Sequence, residues 1–95
     1  MFLGAYHFDG QPSDLTAAYD RLMDQFPPGV IELNVCVSHD HGITVFDACP
    51  SRDAFAGFSQ SADFLAAVTA AGLPAPRVEL LGDVHAATLR TPVTP

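Results

Sequence analysis

Two runs with a period of two constrain this chain most: VIELNVCVS (30–38) and ITVFDAC (43–49), separated by His39-Asp40-His41-Gly42. In the first, Ile31, Leu33, Val35 and Val37 alternate with Glu32, Asn34, Cys36 and Ser38, the pattern of a strand with one apolar face. A short turn closed by glycine predicts an antiparallel hairpin in which Ser38 faces Ile43, Cys36 faces Val45 and Asn34 faces Asp47. Asp47 is then an acid inside a strand, on one face with Glu32, Asn34, Cys36 and Cys49. The opposite face carries Ile31, Leu33, Val35, Val37 and Phe46. In this register the two cysteines lie about four positions apart along strands that rise about 3.3 Å per residue, too far for a disulfide. Free buried thiols are expected.

The remaining elements follow from local signals. FLGAYHF (2–8) reads as a strand ended by Asp9-Gly10. In QPSDLTAAYDRLMDQF, Leu15, Ala18, Tyr19, Leu22, Met23 and Phe26 recur at spacings of three and four, predicting an amphipathic helix. Pro12 can start it, Ser13 or Asp14 can cap it, and Pro27-Pro28-Gly29 stops it. Ser51 caps a helix carrying Ala54, Phe55 and Phe58. A helical stretch at 61–72 has the stripe Phe64, Leu65, Val68 and Ala71, and the two stretches read as separate helices or as one broken helix. RVELLGDVHAATL (77–89) is a last strand, and TPVTP a tail without evident structure.

Strand, helix, strand, strand, helix, strand is the split βαβ order of the ferredoxin-like class: an α+β domain with a four-stranded antiparallel sheet and helices on one face. One domain over 1–89 with a tail over 90–95 is expected. The other sheet face needs a cover, and at 95 residues association is a natural way to supply burial. Eleven acids against four arginines and no lysine give a net charge of −7, which argues against nucleic acid and anionic membrane surfaces as partners. The N-terminus has no basic segment ahead of a long apolar core, and no apolar run approaches bilayer length. A soluble, cytoplasmic protein is expected.

ITVFDACPSRDAFAGF followed by AAGLPAPRVELLGDVHA resembles the dimeric α/β-barrel superfamily, in particular its small bacterial members related to antibiotic-biosynthesis monooxygenases. The resemblance covers residues 2–89. It implies a homodimer whose two sheets pack face to face into a barrel, with a small pocket between sheet and helices in each subunit. It also implies a small hydrophobic or aromatic ligand. The activities it suggests are those of a cofactor-independent monooxygenase, an isomerase or a cyclase acting on an aromatic or polyketide-like substrate. The chain has no tryptophan, and Cys49 stands where many relatives carry one, so haem-degrading chemistry is not implied.

With strand order 4-1-3-2, His7 on the first strand and His85 on the fourth can join Asn34 and Asp47 beneath the helices. Imidazole titrates near neutrality, so His7 or His85 would act as general base with Asp47 orienting it, while Asn34 positions a substrate oxygen. Tyr6, Tyr19 and Phe55 are candidate substrate contacts, though aromatic core packing accounts for them as well. Asp47 and Asn34 also fit a cross-strand hydrogen bond in a non-catalytic ligand-binding or interaction module. No phosphate cradle, nucleophile elbow or CxxC pair appears, and no cofactor is implied. His39-Asp40-His41 reads as a solvated turn and not a metal site. No third and fourth ligand accompanies that turn at recognised spacing, and Asp83 and His85, which share a face that Glu79 extends, would need His7 as well to hold a metal.

Overall fold

The computed structural model describes residues 1–27 and 31–94. The expected Pro28-Gly29 part of the first helix stop, and Val30 at the start of the second run, lie outside the described residues. In chain order the elements are β1 (Phe2–Asp9), α1 (Pro12–Met23), β2 (Leu33–His39), β3 (Gly42–Cys49), α2 (Arg52–Ser59), α3 (Ala62–Ala71) and β4 (Arg77–Asp83). The strands form one antiparallel sheet in the order β2-β3-β1-β4, an α+β arrangement compatible with the ferredoxin-like class.

Alternation assigns the faces. Phe2, Tyr6 and Phe8 of β1 share a buried cluster with Ile43 and Val45 of β3, with Leu15, Ala18 and Leu22 of α1, with Phe55 of α2 and with Phe64, Val68 and Ala71 of α3. The helices therefore cover one face only. Leu33, Val35 and Val37 of β2, Thr44 and Phe46 of β3, and Leu3, Ala5 and His7 of β1 point the other way. The hairpin has the expected register, Asn34 opposite Asp47 and Cys36 opposite Val45. Both cysteines are free.

Local chemistry explains where the helices begin and end. Ser51 Oγ accepts the Ala54 N–H at 3.1 Å, and Ser61 Oγ accepts that of Phe64 at 3.2 Å, so each of α2 and α3 has its own hydroxyl cap and the two stretches are separate helices. Helix α3 ends on Gly72 in the left-handed region (φ 93°). Gly4 is required for a different reason. A Cβ there would stand 2.0 Å from Cζ of Phe55, whose ring lies flat against the backbone of β1. Arg21 Nε donates to the Ala71 carbonyl at 3.1 Å, tying α1 to the C-terminal, electronegative end of α3.

Four expectations are corrected. Helix α1 has Gln11 as its N-cap, without a side-chain bond, and Pro12 as its first residue. Ser13 and Asp14 thus fall inside the first turn, because proline needs no amide partner there. Leu65 is 43% exposed, the α3 stripe being Phe64, Val68 and Ala71 at intervals of four and three. Ile31 precedes the paired part of β2, and without a ladder to hold it on the open face it turns to the helix side. Strand β4 stops at Asp83, beyond which the Val84 N–H still reaches the Met1 carbonyl at 2.8 Å. Leu81 forms a bulge against β1 between the Leu3–Gly82 and Gly4–Leu80 pairs.

Candidate functional site

Between α1 and the helix-side surface of the sheet lies a cleft of ≈ 460 Å³ counting its open mouth. Its walls are apolar: Leu22, Met23 and Phe26 from α1 and the residues after it, Phe58 and Phe64 from α2 and α3, and Val45 and Ile31 from the sheet side. The outer half of the α1 stripe thus serves as wall while Leu15 and Ala18 fill the core. The mouth continues past Glu32, Cys49 and Pro50 into a second depression that shares Phe26, Ile31, Asp47 and Phe58.

Tyr6, Tyr19, Asn34 and Asp47 line this apolar space, and Cys49 lines the second depression beside them. The Tyr19 hydroxyl donates to Asn34 Oδ1, Asn34 Nδ2 donates to Asp47 Oδ1 at 3.3 Å, and the Cys49 thiol points at Asp47 Oδ2 from 3.9 Å. The cross-strand pairing of Asn34 with Asp47 makes this line possible, and α1 sets Tyr19 above it. Tyr6 stands beside the line. Its ring stacks on Phe55 with centroids 5.3 Å apart, and its hydroxyl is buried with no hydrogen-bond partner among the described residues. A buried hydroxyl without a partner is costly and uncommon in folded proteins.

Burial dominates the electrostatics. It raises the Asp47 carboxyl above the ordinary carboxylate value, against the opposing pull of the bonds from Asn34 and Cys49. It pushes the Tyr19 phenol up to about 12, helped by Cys36, Asp20 and Asp47. The Tyr6 phenol moves further in the same direction, through burial and then the charges of Asp47 and Cys49. Cys36 is raised by burial and Asp20, and Cys49 by burial, Asp47 and Glu32. Both thiols are therefore held protonated, the opposite of what a nucleophile needs.

The structure brings together Tyr6, Tyr19, Asn34 and Asp47, and places the other three candidates elsewhere. His7 lies on the open face of the sheet, where Nδ1 meets Thr44 Oγ1 at 3.0 Å and Nε2 meets Glu79 Oε1 at 2.9 Å. The cause is register. Asp47 pairs with Gly4, so the even-numbered residues of β1 share its face, and His7 is odd. His85 lies beyond the end of β4 and is exposed. Phe55 is fully buried behind Tyr6, as a core residue that does not line the cleft. Phe26 and Ile31, which wall the cleft, were not legible as site residues, because each sits where the chain leaves a regular element.

No protein-family profile, curated protein or solved structure matches this chain.

Proposed function

We propose that the protein is a homodimer of the dimeric α/β-barrel kind that binds a compact aromatic or polyketide-like molecule in the helix-side cleft. The observation that carries this reading is the buried, unpartnered Tyr6 hydroxyl in an apolar wall next to Asp47. An apolar cleft with a few convergent polar groups is the usual form of a small-molecule site. A ligand hydroxyl would accept from Tyr6 and donate its proton to Asp47 once the side chains that close over the buried Tyr6 hydroxyl part to admit it. The open sheet face, with Val35 and Val37 exposed, is the surface that a second copy would cover.

The raised Asp47 carboxyl favours a second reading, in which the bound hydroxyl or an acidic C–H gives up its proton. A cofactor-independent monooxygenase, isomerase or cyclase built on this cleft would use Asp47 as base and the Asn34 amide to hold it in place. The histidines play no part in this version, because neither reaches the cleft.

Binding of 1-naphthol and naphthalene, followed by titration calorimetry with wild type and Tyr6→Phe, tests the first reading. Wild type should prefer 1-naphthol, and Tyr6→Phe should reduce that preference by about 2- to 10-fold, the worth of one hydrogen bond, while the bond to Asp47 keeps the remainder. Absence of binding of either compound to wild type, or a preference unchanged in Tyr6→Phe, overturns it.

A further inference from the structure

A second polar arrangement, separate from the cleft, crosses the open face of the sheet. It runs from the turn after β2 through β3 and β1 to β4: the His41 N–H to His39 Nδ1 at 3.2 Å, His39 Nε2 to Thr44 Oγ1 at 3.1 Å, Thr44 Oγ1 to His7 Nδ1 at 3.0 Å, and His7 Nε2 to Glu79 Oε1 at 2.9 Å. Its two ends fix the direction of every bond independently. A backbone amide only donates, so His39 Nδ1 accepts and the proton of a neutral ring sits on Nε2. At the other end a carboxylate only accepts, so His7 Nε2 carries a proton and, in the neutral ring, Nδ1 is bare. Thr44 has one proton and is nearly buried. It must accept from His39 and donate to His7, which is what both ends require.

We infer that this chain is a proton-sensitive clasp, which holds His7 and His39 as neutral Nε2–H tautomers and comes apart at the β2–β3 turn when His39 takes up a proton. The two histidines respond differently to acid. A second proton on His7 leaves the Glu79 contact as an ion pair, and Thr44 can turn to accept from both rings. A second proton on His39 must sit on Nδ1, where it meets the His41 N–H, donor against donor. The contact between ring and turn is then lost. The charged and titratable groups around the clasp are His7 and Asp9 on β1, His39 on β2, Asp40 and His41 in the turn, and Arg77 and Glu79 on β4; β3 contributes none on this face. Arg77 Nη2 is already engaged with Asp9 at 3.1 Å. Asp40 neighbours His39 without a bond to its ring, so no carboxylate compensates the His39 charge in the way Glu79 compensates that of His7.

The test is nitrogen-15 NMR of the imidazoles with amide exchange of the same sample, from pH 8 down through the imidazole range. At pH 8 both His7 and His39 should be pure Nε2–H tautomers, while exposed His85 serves as the reference for a free ring. As His39 becomes charged, protection of the His41 amide, corrected for intrinsic rate, should fall by about 2- to 10-fold, the loss of one hydrogen bond. Thr44→Val should keep both rings as Nε2–H tautomers, because the His41 N–H still holds His39 and Glu79 still holds His7, whereas Thr44→Val combined with Glu79→Ala should return His7 to the tautomer mixture of His85. A mixed or Nδ1–H tautomer at either histidine of the wild type overturns the clasp. So does a His41 amide whose protection is unchanged when His39 is charged.

Discussion

Asp47 illustrates how much one buried acid can set. Its carboxyl is raised by burial, so the folded protein holds that proton more tightly than the unfolded chain does. The stability associated with protonated Asp47 is fully present below the ordinary carboxylate value and is lost as pH rises from there through the raised value. At neutral pH the ionised group is therefore a cost to the fold. Asp47→Asn preserves the shape and the acceptor for Asn34 Nδ2 while removing the charge. Its melting temperature should exceed that of wild type at pH 7, and the difference should shrink as pH falls toward the ordinary carboxylate range. A variant less stable than wild type at pH 7 would contradict this assignment of the cost. Asp47 and Asn34 were legible as a pair because one short turn fixes their register. His7 was not, because FLGAYHF is apolar at both parities: Phe2, Tyr6 and Phe8 face the helices while Leu3 and Ala5 face the other side. A central strand with apolar residues at both parities carries no alternation from which to read direction.

Among the elements, α2 shows how a helix is seated by a missing side chain. Ser51 starts it, but its position over the sheet depends on Phe55 lying against Gly4, with Cζ, Cε2 and Cε1 all within 2.4 Å of where a Cβ would stand. Backbone and ring cannot both keep their places once a methyl group intervenes, and the ring is flanked by Phe2 and Tyr6. Gly4→Ala should destabilise the protein by about 1–3 kcal/mol in urea unfolding, the range for overpacking a filled core. Adding Phe55→Leu should recover part of that loss, so that the double variant is more stable than the sum of the singles implies. A Gly4→Ala protein within about 0.5 kcal/mol of wild type, the range of an ordinary surface change, would show that α2 is seated in some other way. This contact pairs residues 4 and 55, and the sequence offers each only as a strand glycine and a stripe aromatic. Their meeting follows from the β1–β3 pairing, the same long-range step that misplaced His7.

The uneven covering of the sheet is a property of the whole molecule. Three helices bury one face over its central strands, leaving Val78 and Leu80 of edge strand β4 40% and 38% exposed there. On the other, Ala5 and Ala48 are shielded by their neighbours on the central strands, whereas Val35 and Val37 of edge strand β2 remain 43% and 41% exposed. Among the described residues no helix is long and apolar enough to cross a membrane, so a bilayer-spanning helix does not explain this apolar surface. The dimer proposed above predicts that the wild type sediments as a dimer at micromolar concentration. Val35→Asp, which changes an exposed side chain, should sediment as a monomer with an unchanged far-ultraviolet spectrum. Salt provides an independent check on what holds the two copies together. Each carries a net charge of −7, so their mutual repulsion opposes association, while an interface centred on valine and leucine side chains of β2 contributes little that ions can screen. Added salt should therefore tighten the dimer. Loosening by salt would mean that ion pairs, such as those available around Arg77 and Glu79, hold the copies together instead of the apolar face. A wild type that is monomeric at both salt extremes would remove the dimer altogether, while leaving the cleft and its Tyr6 test untouched.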